Sequence, residues 1–288
     1  MTIATMLAVI NGEEGSLATL SAAFRLARDQ DAYLEVLHVA SDPNNNIPLI
    51  GEGMSGAMVE QVMADLQQAT ERRAEAAHQV YLDVCADYDL APVEASSKHP
   101  PATFIPAWRK VVGREEQEVA RAALLKDLVV VSRPDGADSG SYVPALEAAL
   151  FDAARPVLVA PPLDISSIGK RVVVAWNGRR EAAKALMATV PILAKAESVT
   201  LLTLDPESEK TDPQDACDYL AGHGIEAHAR QFNSSDSVGV DLLTHAADLQ
   251  ADLLVMGAYG HSRFREFILG GATRSVLHST ALPVILTH

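Results

Sequence analysis

The chain has 288 residues, 48% hydrophobic and 21% charged, with 38 Asp and Glu against 23 Lys and Arg and a formal charge of -15. That length accommodates one large domain or two of ordinary size. The acidic balance excludes a nucleic-acid partner, which needs a basic face, and argues against an anionic membrane surface.

Cys85 and Cys217 are the two cysteines, too few for a disulfide scaffold, which fits a reducing, cytoplasmic compartment. Met1 to Ile10 lacks the basic lead and small-residue cleavage site of a signal peptide, so it reads as a first strand. No apolar run is long enough to span a membrane.

Met6 to Ile10 is a strand ending in the turn Asn11-Gly12, followed by Leu17, Leu20, Phe24 and Ala27 at helical spacing. Tyr33 to Ala40 is a second strand, and Ser41 to Pro48 has loop composition. The glycine-spaced stretch Gly51 to Gly56 leads into a long helix from about Ala57, with Val59, Val62, Met63 and Leu66 as its apolar stripe, ending before Pro92. A short strand lies near Val93, and Lys98 to Pro101 is a loop. Glu115 to Lys126 is a helix, Leu128 to Val131 a strand, Pro144 to Ala153 a helix and Pro156 to Val159 a closing strand.

Pro161 to Gly169 reads as a linker, and the pattern then restarts. Val172 to Trp176 ends in Asn177-Gly178, matching Asn11-Gly12; Ala182, Leu186, Val190 and Leu193 form the next apolar stripe, and Val199 to Leu204 the next strand. Cys217 and the residues up to Ala227 align with Cys85 and the residues up to Ala95 at a constant offset of 132, and Ala281 to Leu286 aligns with Ala154 to Val159. This is a duplication of a whole domain. Each half alternates strand and helix, which calls for an α/β fold: two tandem doubly wound five-stranded parallel-sheet domains, 1–163 and 164–288, joined through their last strands as a pseudo-dimer. Ligands in such sheets sit beyond the carboxyl ends of the strands.

The chemistry concentrates near the end. Leu253 to Met256 is a buried strand followed by Gly257, Gly260 and Gly270, a G-x2-G-x9-G spacing, then Gly271, Ala272 and Thr273. Glycines at 257 and 260 permit close backbone approach to a ligand, and a helix starting near Gly270 offers free N–H groups to a phosphate. This stretch resembles the nucleotide-binding loop of the universal stress protein family, whose ATP-binding members carry G-x2-G-x9-G followed by Ser or Thr. The resemblance extends over the chain as a tandem, and is strongest over Val172 to Gly178 and Leu253 to His288.

The resemblance implies a Rossmann-like, adenine nucleotide alpha hydrolase-like fold and a stress-response protein that binds ATP, with or without Mg2+, in its second domain and acts as a regulatory binding module for protein partners. It places Ala175 and Trp176 beside the base, Leu204 as an apolar contact, Met256 and Gly257 at the adenine and ribose, and Gly260, Gly270, Gly271, Ala272 and Thr273 around the phosphates. Arg263, Arg265 and Arg274 stand in or just after the loop, where they can neutralise phosphate charge. The family's ribose-binding Asp is Asn177 here and its loop hydroxyl is Gly271. The first half departs further: Ser132-Arg-Pro134-Asp135-Gly136 follows its fourth strand, so its site is expected to be lost. The alternative is a member of the fold that binds no nucleotide and works through surfaces or an apolar cleft near Met54 and Met58. No metal spacing, nucleophile elbow or Walker sequence occurs, so any ATP hydrolysis would rest on positioning alone and be slow.

Overall fold

The computed structural model describes residues 2–42, 56–96, 103–133, 144–204, 212–234, 237–258, 271–279 and 281–288. The first half runs β1 (Thr5–Val9), α1 (Ser16–Gln30), β2 (Tyr33–Ser41), α2 (Gly56–Asp87), β3 (Val93–Glu94), β4 (Ile105–Gly113), α3 (Glu115–Ala123), β5 (Leu128–Ser132), α4 (Pro144–Glu147) and β6 (Val157–Ala160). The second runs β7 (Arg171–Ala175), α5 (Arg180–Leu193), β8 (Ser198–Leu204), α6 (Pro213–Gly222), β9 (His228–Phe232), α7 (Val238–Asp248), β10 (Leu253–Gly257), α8 (Gly271–Ser279) and β11 (Val284–Thr287).

The eleven described strands form one sheet in the order β3-β4-β2-β1-β5-β6-β11-β10-β7-β8-β9. Pairing is parallel within each half and antiparallel at the single junction, where Val284, Ile285 and Leu286 face Val159, Leu158 and Val157. The order β4-β2-β1-β5-β6 is repeated by β9-β8-β7-β10-β11, five strands in each half, and β3 is an additional two-residue edge. The third strand of the first half is therefore Ile105–Gly113, not the segment near Val93. Pro106 and the Arg109-Lys110 pair interrupt its apolar run.

Helices cover both faces. The stripes of α1, α2, α5 and α6 share one core with Val172, Val174 and Trp176. The stripes of α3, α7 and α8 share the other with Val173, Leu204 and Met256. In α5 the residues Ala182, Ala185, Leu186, Val190 and Leu193 are all buried, as their spacing requires. Cys85 on α2 and Cys217 on α6 are buried, in matching helices. The helix expected over Pro144 to Ala153 is a single α turn that runs on as a π-helical turn, Ala148–Asp152.

The duplication shows in detail. Asp127 Oδ2 accepts the N–H groups of Ala4 and Thr5, each at 2.9 Å, and Asp252 Oδ1 accepts those of Lys170 at 2.9 Å and Arg171 at 2.8 Å. In both halves a carboxylate ahead of the fourth strand thus satisfies the backbone donors that open the first.

Two polar clusters of the first half have no counterpart among the described residues of the second. Glu35 is 7% exposed and is held by Lys126 Nζ at 2.8 Å and Arg109 Nη1 at 2.9 Å. Burial pushes its carboxyl up, but the bonds and charges of Lys126 and Arg109 outweigh this and hold it below the usual range. His38 is buried with Nδ1 3.0 Å from the Ile10 carbonyl, which can only accept, so Nδ1 carries the proton. Its Nε2 has no partner, and its ring stacks on Trp108, which also meets His78 and Tyr81 of α2.

Burial lowers the His38 pKa; the Ile10 bond opposes this and Lys110 adds to it. The folded pKa is therefore below the unfolded value of about 6.5. Between the two the unfolded chain binds the extra proton, so stability is complete above about pH 6.5 and is lost as pH falls through the folded pKa. Denaturant midpoints taken from pH 7.5 to 5.5 should fall more steeply for the wild type than for His38→Phe. Parallel profiles would remove His38 from the account.

Candidate functional site

The crevice is built at the carboxyl ends of β7 and β10. Beyond β7 the chain turns through Gly178, whose φ of 64° suits glycine. Asn177 Oδ1 accepts the Arg179 N–H at 3.2 Å, closing an Asx turn that launches α5. Glu181 in the first turn is buried and paired with Arg180. Burial pushes its carboxyl up, but Arg180 holds it below the ordinary range. Thr287 at the end of β11 donates to the Glu181 carbonyl at 3.0 Å.

Gly257 meets this same turn. A Cβ there would stand 2.6 Å from the Glu181 carbonyl carbon and 2.7 Å from the Ala182 nitrogen. Its lack of a side chain is therefore required by the close packing of α5 on β10, a demand separate from any ligand. The next residue, Ala258, is buried and donates to Thr287 O at 2.8 Å.

Gly260, Arg263, Arg265 and Gly270 lie outside the described residues, as do Gly51 to Ser55 and Pro134 to Gly136. The chain is described again at α8. Gly271 is exposed with open space around its Cβ position, and Thr273 is 4% exposed. Gly239 of α7 sets the position of this helix end, since a Cβ there would lie 2.7 Å from Ser275 Cβ and 2.9 Å from the Ala272 carbonyl. Arg274 and His278 are exposed on α8.

The expected apolar contacts divide between the two faces. Ala175, Leu204 and Met256 pack together on the face covered by α7 and α8. Trp176 turns to the opposite face, into the core that α5 shares, with its indole N–H buried and unpartnered. Alternation along the strand separates Ala175 from Trp176.

At the matching place in the first half, Asn11 Oδ1 accepts the Glu13 N–H at 3.0 Å and Gly12 has a φ of 80°. A Cβ on Gly12 would stand 2.2 Å from the Arg73 carbonyl oxygen of α2, so the helix backbone already fills this position. Ser132 at the end of β5 is 2.8 Å from Thr19 of α1 through their hydroxyls. The Glu115 carboxyl is pushed up by burial and by Glu116 and Glu13. Arg133 follows, its guanidinium bonded to Leu282 O at 2.8 Å and its pKa lowered to about 10 by burial. Among the described residues no group of three or more acidic, His or Cys side chains could hold a metal ion.

Residues 169–288 match the family model described as the Universal stress protein family. The second half of the chain belongs to the universal stress protein family. A 68-residue stretch is 37% identical to universal stress protein Slr1230 of Synechocystis, covering 24% of this chain but only 19% of that relative's length. A universal stress protein structure from Archaeoglobus fulgidus DSM 4304 aligns with a TM-score of 0.68 at 18% identity, covering 99% of this chain and 96% of that one. A putative universal stress protein from Pseudomonas aeruginosa UCBPP-PA14 aligns at a TM-score of 0.54 and 15% identity, covering 99% and 93%. At those identities the likeness establishes the fold, here over both halves. No described helix is long and apolar enough to cross a membrane.

Three features escaped the sequence reading: the paired Arg179 and Arg180 at the mouth of α5, the α5 contact that requires Gly257, and the α2 backbone over Gly12. Carrying the Asn11-Asn177 match two residues further would have exposed the first. The other two are contacts between segments far apart in sequence.

Proposed function

We propose that the second universal stress protein domain, 164–288, binds an adenine nucleotide, ATP with or without Mg2+, and that the protein is a regulatory binding module in a stress response. On this reading 1–163 is a companion domain that has lost the site. One observation carries the proposal: the Asn177 turn, the apolar wall of Ala175, Leu204 and Met256, and the open amino end of α8 at Gly271 belong to one crevice end of the sheet. Asn177 would meet the ribose and the α8 N–H groups the phosphates. The α2 backbone over Gly12 supports the loss of the first site.

Calorimetric titration of nucleotide-free protein with ATP and magnesium should give micromolar binding, worth about 8 kcal/mol. Gly271→Glu has room for its side chain and should fold normally while losing that heat by charge repulsion. No heat from the wild type would reject the reading. A second reading has its own observation, a cleft of about 650 Å³ between α2 and the ends of β2 and β4, lined by Val59, Met63, Ala64, Lys110 and Val112 among others. An apolar ligand held there would protect the amino-terminal half of α2 from proteolysis without affecting ATP binding.

A further inference from the structure

The first half carries structure that the described residues of the second do not repeat. α2 has 32 residues and its counterpart α6 has 10. β4 has 9 residues and its counterpart β9 has 5. The buried residues of α2 begin at Ala74, so Gly56 to Arg73 form an arm with no fully buried side chain. Val59, Val62, Met63 and Leu66 on this arm are half-buried, and Val112 near the end of β4 is 64% exposed. Between the arm and the strands lies the cleft of about 650 Å³, a size that suits a small molecule.

The two ends of the cleft differ in chemistry. On its helical wall, Thr70 and Glu71 stand nearest the buried half of α2, and Val59 lies about 16 Å further out along the helix axis. On its floor, Lys110 is paired with the buried His38, and the Ala40–Val112 pair follows towards the strand ends. The inner end therefore holds the Lys110 ammonium and the Thr70 hydroxyl, and the outer end is walled by Val59, Met63 and Ala64.

The charge at the inner end is not spent within the protein. Alternation along β4 puts Lys110 on the face of Trp108, which stacks on Tyr81 of α2, and puts Arg109 on the other, where Glu35 takes it. No ion pair among the described residues uses Lys110. Two carboxylates also line the cleft. Glu71 accepts from Gln67 at 3.1 Å, and Glu60 belongs to the outer end. An ammonium at the inner end and apolar walls beyond it are complementary to a molecule with an anionic head and an apolar chain.

We infer that this cleft binds a free single-chain carboxylate, with its head on Lys110 and its chain along Val112, Met63 and Val59. This rests on the second reading above and names the class of its ligand. It is independent of the nucleotide reading, which concerns the other half.

The test is calorimetric titration of the full chain with decanoate, kept below the concentration at which it forms micelles, and with uncharged decanol. Wild type, Lys110→Gln and Val112→Asp are compared, with urea midpoints to show that each variant is folded. A charge-assisted hydrogen bond at a site in contact with water corresponds to about tenfold in affinity. The wild type should therefore prefer decanoate to decanol by about that factor. Lys110→Gln should remove the preference and leave decanol binding unchanged, and Val112→Asp should weaken both ligands. Equal binding of the two ligands by the wild type, or a preference that survives Lys110→Gln, overturns the carboxylate head and leaves an apolar ligand standing. Binding of neither ligand, or binding indifferent to Val112→Asp, overturns both. A cleft closed by a second copy of the chain would give that last result as a dimer that Val112→Asp dissociates.

Discussion

Replacing Glu35 with alanine is expected to lower the free energy of unfolding by about 3–5 kcal/mol, the cost of leaving a buried charge without its partner. The Lys126 side chain is 11% exposed and its ammonium is held by Glu35 at 2.8 Å. Removing the carboxylate leaves that ammonium in a place where water cannot replace it. Arg109, at 39% exposed, can turn to solvent and contributes less. Glu35→Leu combined with Lys126→Met should recover most of the loss, because two apolar groups of similar volume need no pairing. The effect should be confined to the first half, since the second holds Thr200 at the equivalent register beside β7. Urea denaturation of the single and double variants measures both numbers, and a single variant within 1 kcal/mol of wild type would show that Lys126 finds another acceptor.

Gly257→Ala is expected to cost about 1–3 kcal/mol, the range for forcing atoms into a filled space, and, on the proposed function, to weaken nucleotide binding with it. The added methyl would press on backbone atoms of Glu181 and Ala182, so the first turn of α5 must move, and the Asn177 turn with it. Gly271→Ala is the matched control: its Cβ position is open, and alanine is the better helix former, so its stability should be unchanged or slightly raised. The first half solves the same contact in the opposite sense, with Ser132 on the strand and Gly15 on the helix, their Cβ positions 3.6 Å apart. Exchanging the pair, Gly257→Ser with Glu181→Gly, should therefore recover part of what Gly257→Ala loses. Denaturation of all three variants reads the first effect and ATP titration the second; a stable Gly257→Ala protein would mean that α5 shifts freely on β10.

Much of the fold was legible because the chain states it twice. The Asn-Gly turns, the two buried cysteines and the paired closing strands Pro156–Val159 and Pro283–Leu286 announce a duplication, and alternating strand and helix leaves a parallel sheet as the natural outcome. The strand Ile105–Gly113 went unread because Pro106 and two adjacent cations break the apolar run by which strands are recognised. The candidate site was legible as a list of residues but not as a surface. Ala175 and Trp176 are neighbours in sequence and lie on opposite faces. Gly257 could not be distinguished from a ligand-facing glycine until α5 was placed against it.

The antiparallel junction between β6 and β11 has a consequence for what can bind at the same time. Because the halves run in opposite directions across it, the Asn177 turn and the Asn11 turn open on opposite margins of the sheet. A macromolecule resting on the margin near Glu13 and Glu115 would leave the other margin clear, so the two surfaces would not compete for space. β10 and β5 are separated by β11 and β6, three interstrand steps of about 4.8 Å each, or about 14 Å in all. The two crevice ends of the sheet are thus arranged back to back.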